Sequence, residues 1–466
     1  MRRCKCPAST QDRHVSSANI PRLYDNAQLL SLYLDAWLIT AKPLFLDMVH
    51  DIAAYLTSDP IQSPHGGFHA SEDADSAPSA TETEHKEGAF YVWDYTTFNE
   101  AVADERIASI CAKYWNVRED GNVSPKHDIQ GELRGQNTLG VSVSIATISK
   151  TFSITEDEAL DAIAKGRERL LKWRNKNRPR PHLDDKILVS WNGLAISALA
   201  RTAASLSALD ANTSARYLDA AASAAAFIKR ELYSSEDHTL KRVYREGAGD
   251  TQGFADDYAF LITGLIDLYE ATFDDSYLLW ADQLQQTQID LFLDPVRGGF
   301  FGTAAGQPDV LIRSKDAMDN AEPSANGSAA RNLFRLGGLL GDDKYENLAK
   351  ETVRAFEVEM GQHPGLFTGL MSGIVCARLG IRPIVISGAE GSAEVDEALN
   401  VLRGLVRPGS TVVRVGGSTK SEWLRSRNEL VGSIPVDKEM VQFCEEGTCK
   451  LVKASELKDL LKASHL

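Results

Sequence analysis

Trp191-Asn192-Gly193-Leu194 opens a run, Leu194 to Leu206, that is apolar almost all round. A helix without a polar face is buried on every side. The same kind of opening recurs at Asp256-Asp257-Tyr258-Ala259 and at Ser324-Ala325-Asn326-Gly327. From Asn192 to Asp257 is 65 residues, and from Asp257 to Asn326 is 69. Tyr24-Asp25-Asn26-Ala27-Gln28-Leu29 is an earlier copy, with Asn26 standing 166 residues before Asn192. Repetition at such a period marks an architecture of stacked helical units.

Each buried run is followed by a one-sided helix. Tyr217, Leu218, Ala221, Ala224, Ala225, Ile228 and Leu232 recur at helical spacing, as do Tyr277, Trp280, Leu284 and Leu291, with Asp282, Gln285 and Gln286 between them. Buried helices alternating with half-exposed ones suit concentric rings, so a closed ring of helical hairpins is expected in preference to an open solenoid. Gly66-Gly67-Phe68-His69, Gly298-Gly299-Phe300-Phe301 and Glu87-Gly88-Ala89-Phe90-Tyr91-Val92-Trp93 read as short strands decorating one end. Beyond about residue 380 the pattern becomes strand, helix, strand: Pro383–Ile386, Ala393–Leu405 and Thr411–Val415, then a strand at Met440–Phe443 and a helix at Ser455–Lys462. The expected organisation is a disordered segment over 1–21, a mostly α, (α/α)6 toroid over 22–380, and a small α/β region over 381–466.

The chain carries 50 Lys and Arg against 65 Asp and Glu, a formal charge of −15. An acidic surface repels phosphate backbones and anionic lipid, so neither nucleic acid nor a membrane is an expected partner. No apolar stretch is long enough to span a bilayer, and the basic, polar N-terminus has no apolar core of a secretory signal. An intracellular, cytoplasmic location is expected, with a mitochondrial one left open; the oligomeric state is not legible. The six cysteines are scattered. Cys444 and Cys449 have no histidine nearby to complete a zinc set and read as free thiols. His65, His69 and His85 lack regular ligand spacing, so no metal and no cofactor is expected. Phosphate-loop, dinucleotide-binding and nucleophile-elbow motifs are absent from the sequence.

Acidic clusters stand in loops or at the openings of the buried helices: Glu72-Asp73-Ala74-Asp75 near Glu87, Asp184-Asp185-Lys186 ahead of Trp191, Asp256-Asp257-Tyr258, and Lys315-Asp316 with Asp319, Glu322 and Asn326. In a ring of hairpins these positions share one end. Paired carboxylates beside aromatic faces suit a sugar: the carboxylates bind hydroxyls or exchange protons, and the rings stack. Asp73, Asp75, Asp185 and Asp316 are the expected acid–base residues. Tyr24, Asn26, Glu87, Trp93, Lys186, Trp191, Asn192, Asp257, Tyr258, Lys315, Asp319 and Asn326 are expected to contact a sugar-like ligand. Other roles compete: helix N-caps for Asn26, Asn192 and Ser324, ion pairs for Lys186 and Lys315, and core packing for Trp93 and Trp191.

The chain resembles the thioredoxin-domain-containing proteins related to spermatogenesis-associated protein 20. The motifs that carry the resemblance are Leu23-Tyr24-Asp25-Asn26-Ala27-Gln28-Leu29, Gly67-Phe68-His69-Ala70-Ser71-Glu72-Asp73-Ala74-Asp75-Ser76, Glu87–Trp93, Leu183-Asp184-Asp185-Lys186, Ser190–Leu194, Asp257-Tyr258-Ala259, and Lys315-Asp316 with Asp319, Pro323-Ser324 and Asn326. The resemblance implies a six-hairpin toroid, similar to sugar epimerases and six-hairpin glycosidases. It implies no settled reaction. Such epimerases use a histidine pair on inner helices; the runs here hold none, which favours carboxylate hydrolysis. The family's N-terminal thioredoxin-like domain is expected to be lost, since only Met1–Pro21 precede the match. The function expected is therefore a carbohydrate-active protein with an acidic, aromatic-lined funnel, glycosidase- or epimerase-like. The alternative is a non-catalytic binding toroid, a truncated relative of a redox-associated protein.

Overall fold

The computed structural model describes residues 22–463, apart from 125, 127, 129, 130, 309, 418, 446 and 447. The expectations for residues 1–21, including Cys4 and Cys6, lie outside the described residues. The chain forms two compact units: one holds 71–184 with Arg22, the other 23–70 and 185–466.

The larger unit begins with α1 (Leu23–Thr40) and α2 (Pro43–Leu56). Leu23, Ala27, Leu30 and Leu34 recur every three or four residues and are buried. Pro43, whose ring presets the helical φ, starts α2.

The smaller unit interrupts it. β1 (Ser71–Glu72) pairs antiparallel with β4 (Leu183–Asp184), joining the two ends of this unit. β2 (Asp75–Ser76) pairs with β3 (Lys86–Glu87). Helices α3 (Tyr95–Val102), α4 (Glu105–Trp115), α5 (Ile145–Phe152) and α6 (Glu156–Asn177) follow β3. Asp94, Asp104, Ser144 and Thr155 each accept a backbone N–H at the helix start, satisfying a donor with no partner in the first turn. Trp93, Phe98, Trp115 and Leu170 form the core.

The chain returns to the larger unit with β5 (Ile187–Leu188), which runs straight into α7 (Val189–Leu206), and then α8 (Ala211–Glu231). β6 (Val243–Tyr244) pairs with β5 and leads to α9 (Ala255–Thr272) and α10 (Asp275–Phe292). Next come α11 (Ala325–Leu340), α12 (Asp343–Arg354), α13 (Glu357–Gln362), a 3₁₀ turn and α14 (Thr368–Leu379). Helices α1, α7, α9 and α11 pack side by side in that order, and α14 lies against α11. Each of the first four is backed by the helix that follows it in sequence. The alternation of buried and half-exposed helices is the expected one: on α9 fifteen residues are buried, Asp257 and Asp267 among them, whereas α12 buries four.

In the C-terminal region β7 (Arg382–Ser387), α15 (Ala393–Arg403) and β8 (Ser410–Val415) make a parallel crossover. Short helices α16 (Glu422–Arg427) and α17 (Glu429–Gly432) precede the hairpin β9 (Met440–Glu445) and β10 (Thr448–Val452), and α18 (Ala454–Ala463) closes the sequence of elements. The sheet order is β10-β9-β7-β8. β7 and β8 also touch α11, so this region belongs to the same compact unit as the hairpins.

Four local expectations change. Glu87–Trp93 is not a strand: pairing ends at Glu87, and the chain turns at Gly88, with φ +74°, before Trp93 makes a single bridge to Asn137. The two Gly-Gly-Phe segments make single bridges, Gln62 to Phe68 and Leu293 to Phe300, rather than strands. Cys444 and Cys449 are not free thiols; they face each other across the β9–β10 hairpin and form a disulfide. Gln285, expected on the polar side of α10, is fully buried and donates to Gln288, which in turn donates to the Ala255 carbonyl at the start of α9. Among the described residues no helix is long and apolar enough to cross a membrane.

Candidate functional site

Within the larger unit the openings of α1, α7, α9 and α11 gather at one place. The Tyr24 and Trp191 rings meet edge to face, with centroids 4.8 Å apart. Trp191 Nε1 donates to Glu322 Oε1 at 2.9 Å, across to the loop that enters α11. The Ser190 N–H at the start of α7 donates to Asp257 Oδ1 of α9 at 2.9 Å. Asp257 Oδ2 accepts the Phe254 N–H at 2.8 Å and Arg242 Nη1 at 2.7 Å. Arg242 also holds both oxygens of Asp256, at 3.1 and 3.2 Å. Burial and the Asp256 charge push the fully enclosed Asp257 carboxyl up, to about 7, against the pull of Arg242.

Beside this network is a cavity of about 390 Å³ lined by Phe254, Asp256, Phe300, Asp316, Asn320 and Glu322, among others. It is acidic and aromatic, as expected of the mouth. Glu322 is its perturbed group: burial, then the Asp256 and Asp25 charges, raise its carboxyl above the usual range, while the Trp191 N–H opposes them. Phe254 leaves 37% of its surface exposed, and Arg242 lies over the ring 4.7 Å from its centroid.

The expected site residues divide sharply. Asp316 lines this cavity, exposed, with Oδ1 accepting the Met318 N–H. Asp185 lies in the β4–β5 turn, half-exposed and paired with Arg245 at 2.7 Å; it lines neither this cavity nor the larger one described below. Asp73 and Asp75 belong to the smaller unit, where Asp73 Oδ1 accepts the Asp75 N–H and Asp75 faces Glu87 across β2–β3. Burial, then Asp75 and Glu132, raise the Glu87 carboxyl. Trp93 is core, 3% exposed, with the Arg178 guanidinium 4.5 Å from its ring. Tyr24 and Tyr258 are also buried, and the Tyr258 hydroxyl accepts the Leu240 N–H. Asn26 opens α1 partly exposed, and Lys186 sits partly exposed beside Asp185.

Asn192 and Asn326 are tied to backbone, and they do the same thing twice. Asn192 Oδ1 accepts the Phe68 N–H at 2.8 Å, and Nδ2 donates to the Phe68 carbonyl at 3.0 Å and to Leu188 at 2.9 Å. Asn326 accepts the Phe300 N–H at 2.7 Å and donates to the Phe300 and Asp316 carbonyls at 2.9 and 2.8 Å. Both are almost completely buried, so neither amide faces a ligand. The preceding glycines take positive φ, which lets the backbone reach the amide; a Cβ on Gly67 or Gly299 would meet the Asn oxygen at 3.4 or 3.1 Å. Neither asparagine is an N-cap; Ser324 is the cap of α11. Asn192→Ala is expected to destabilise by about 2 kcal/mol, since it strands a buried N–H and two carbonyls. Urea unfolding checks this, and an unchanged midpoint would discount the clamp. Lys315 is likewise engaged, donating to Asp294 and the Gly298 carbonyl at 2.8 and 2.7 Å. Asp319 accepts the Ser324 and Gly369 N–H groups and the Thr368 hydroxyl.

Inside the hairpins lies a second cavity, of about 560 Å³, reaching from Gln28 and Pro323 to the 402–410 loop. It was not legible in the sequence, and it is neither acidic nor aromatic. Arginines 201, 331, 335, 403 and 407 line it, against Asp35, Asp267 and Glu270. Among the described residues no group of three or more His, Cys, Asp or Glu side chains stands close enough to hold a metal ion.

These features define a mostly α protein of the helical-hairpin, (α/α) toroid class, with a polar mouth at the inner-helix openings. The chain belongs to the family of spermatogenesis-associated protein 20. It is 32% identical to the human protein of that name over 463 residues, covering 94% of this chain and 57% of the relative. The mouse protein is 33% identical over 416 residues, 86% of this chain and 52% of the relative. The chain thus spans little more than half the length of the curated relatives it matches. No family model matches. Among solved structures it is similar to a D-mannose isomerase (15% identity, TM-score 0.34, 72% of this chain and 76% of that one) and to a Clostridium acetobutylicum glycoside hydrolase from family 105 (10%, 0.33, 72% and 76%). Likenesses this distant bear on neither substrate nor reaction.

Proposed function

We propose that the chain is a carbohydrate-active protein whose working carboxyls are Glu322 and Asp256 at the mouth of the inner helices, with Asp316 on the same cavity wall. The observation that carries this reading is the unequal treatment of two carboxyls lining one cavity. Asp256 is held by both its oxygens on Arg242, which favours the charged form. Glu322 is enclosed and held above the usual carboxylate range, which favours the acid form. A carboxyl kept protonated beside one kept ionised is the arrangement that general acid–base hydrolysis of a glycoside needs. The half-exposed Phe254 ring offers a stacking face in the same cavity.

A panel of 4-nitrophenyl glycosides, together with a thermal-shift screen of free sugars, tests the reading. Glu322→Gln is expected to lower turnover of whichever glycoside is cleaved by about 10²-fold or more, with little change in sugar binding. Because Glu322 acts as the acid, wild-type turnover should fall as pH rises through its elevated pKa, above the range of an ordinary glutamate. Wild-type rates in Glu322→Gln would remove Glu322 from the chemistry, and a panel without one cleaved or bound sugar would end the carbohydrate reading.

A further inference from the structure

The deep cavity holds more positive charge than its own carboxylates use. Asp35 is paired with Arg201. Asp267 is paired with Arg335 at 2.7 Å and accepts the Ser197 hydroxyl at 2.5 Å. Glu270 takes Arg407 at 2.9 Å and Arg335 at 3.4 Å. Every carboxylate on the wall is therefore already matched. Arg403 lies on carbonyl and hydroxyl oxygens, at Ala271 and Ser207.

Arg331 is different. Among the described residues it has no hydrogen bond and no ion pair. It rises from α11, one turn before Arg335, and stays accessible because it faces the cavity, although protein surrounds it. Enclosure, then the neighbouring Arg335 and Arg201, depress its pKa, the sign of a cation crowded by its own kind. Two further donors on the same wall have no acceptor: Arg407 Nη1 and the hydroxyl of Ser410, a residue 7% exposed. Buried donors without acceptors cost free energy that an incoming acceptor recovers.

Three sets of unused donors, on α11, on the 402–410 loop and at the start of β8, thus face one enclosed space. Five arginines against three carboxylates leave two positive charges there. A phosphate monoester carries about that charge in the opposite sign and offers three acceptor oxygens. The volume, about 560 Å³, is that of a small-molecule site. We infer that this cavity binds the phosphate group of a small molecule, with Arg331 as the recruiting charge and Arg407 and Ser410 as further donors. The inference is independent of the sugar reading at the mouth, which uses none of these residues.

The test is binding of inorganic phosphate to the full chain, by calorimetry and by thermal shift, with potassium chloride at equal ionic strength as the control. Phosphate is expected to raise Tm where chloride does not. Arg331→Gln should weaken phosphate about tenfold or more, Arg331→Lys less, and Ser410→Ala detectably. Without phosphate, Arg331→Gln should melt at or above the wild-type temperature, because it removes an unmatched cation from between two others. Glu322→Gln should bind phosphate like wild type, which separates this site from the mouth. A hexose 6-phosphate that binds where the free hexose does not shows the group carried on a sugar; binding of inorganic phosphate alone shows the ion itself to be the ligand. Equal shifts from phosphate and chloride, undiminished affinity in Arg331→Gln, or a marked loss of stability in Arg331→Gln without phosphate would each overturn the inference.

Discussion

Arg242→Met is expected to cost about 3–5 kcal/mol of folding stability, the loss that follows when one partner of a buried ion pair is removed. Arg242 is the cation shared by Asp256 and the wholly buried Asp257, and Asp257 also accepts the Ser190 and Phe254 N–H groups that fix α7 against the start of α9. Methionine keeps most of the side chain's bulk and leaves two adjacent carboxyls with no counterion. The loss should grow with pH. A carboxyl whose folded pKa stands above its unfolded value binds a proton more tightly when folded, so its contribution to stability falls as pH rises from the ordinary carboxylate range through the folded value, about 7 for Asp257 even with Arg242 present. Urea midpoints of wild type and Arg242→Met at pH 6 and pH 8 measure this. A difference under about 1 kcal/mol at both values would mean that the two carboxyls find other partners or water.

Gly193→Ala is expected to be as damaging for a steric reason. A Cβ at Gly193 would lie 2.5 Å from the Leu261 nitrogen and the Phe260 carbonyl carbon and 2.6 Å from the Phe260 oxygen, all backbone of α9. Gly264 faces back, its Cβ position 2.8 Å from the Gly193 oxygen. One methyl must push two helix backbones apart, and α7 cannot retreat because α1 and α8 pack on its other sides. Overpacking of this kind costs about 3 kcal/mol or more where neighbours are rigid. Denaturant unfolding gives the value; a loss below about 0.5 kcal/mol would show that the crossing can widen freely.

The helices were legible because their apolar spacing is local. Leu194 to Leu206 and Tyr217 to Leu232 report buried and half-buried faces without knowledge of any partner. The gathering of helix openings was legible from the repeat, and in the larger unit Tyr24, Trp191, Asp257 and Glu322 meet there. The roles of the polar residues were not, since each depends on a distant partner. Asn192 reads as a cap or a ligand residue until Phe68, remote in sequence, is placed on its amide. Glu322 stood in a noted cluster but looked no different from Asp316; only enclosure and the Trp191 bond distinguish it. The arginine cavity was missed because runs judged apolar almost all round were read past their exceptions. Yet Asp35, Arg201 and Asp267 each fall twelve residues after the first residue of α1, α7 and α9, a shared register that a strictly hydrophobic reading discards.

The two asparagine clamps are alike in geometry and unlike in chain topology. Asn326 and Phe300 are 26 residues apart, whereas Asn192 and Phe68 are 124 apart because the whole 71–184 unit lies between them. In an unfolded chain, closing the longer loop costs about 1.4 kcal/mol more than the shorter. The difference shrinks once β1 has paired with β4, since that pairing brings Ser71 beside Asp184 and shortens the effective path between Phe68 and Asn192. The order of folding then follows: the Asn326 clamp forms early from local chain, and the Asn192 clamp waits for the inserted unit to fold and deliver its two ends together.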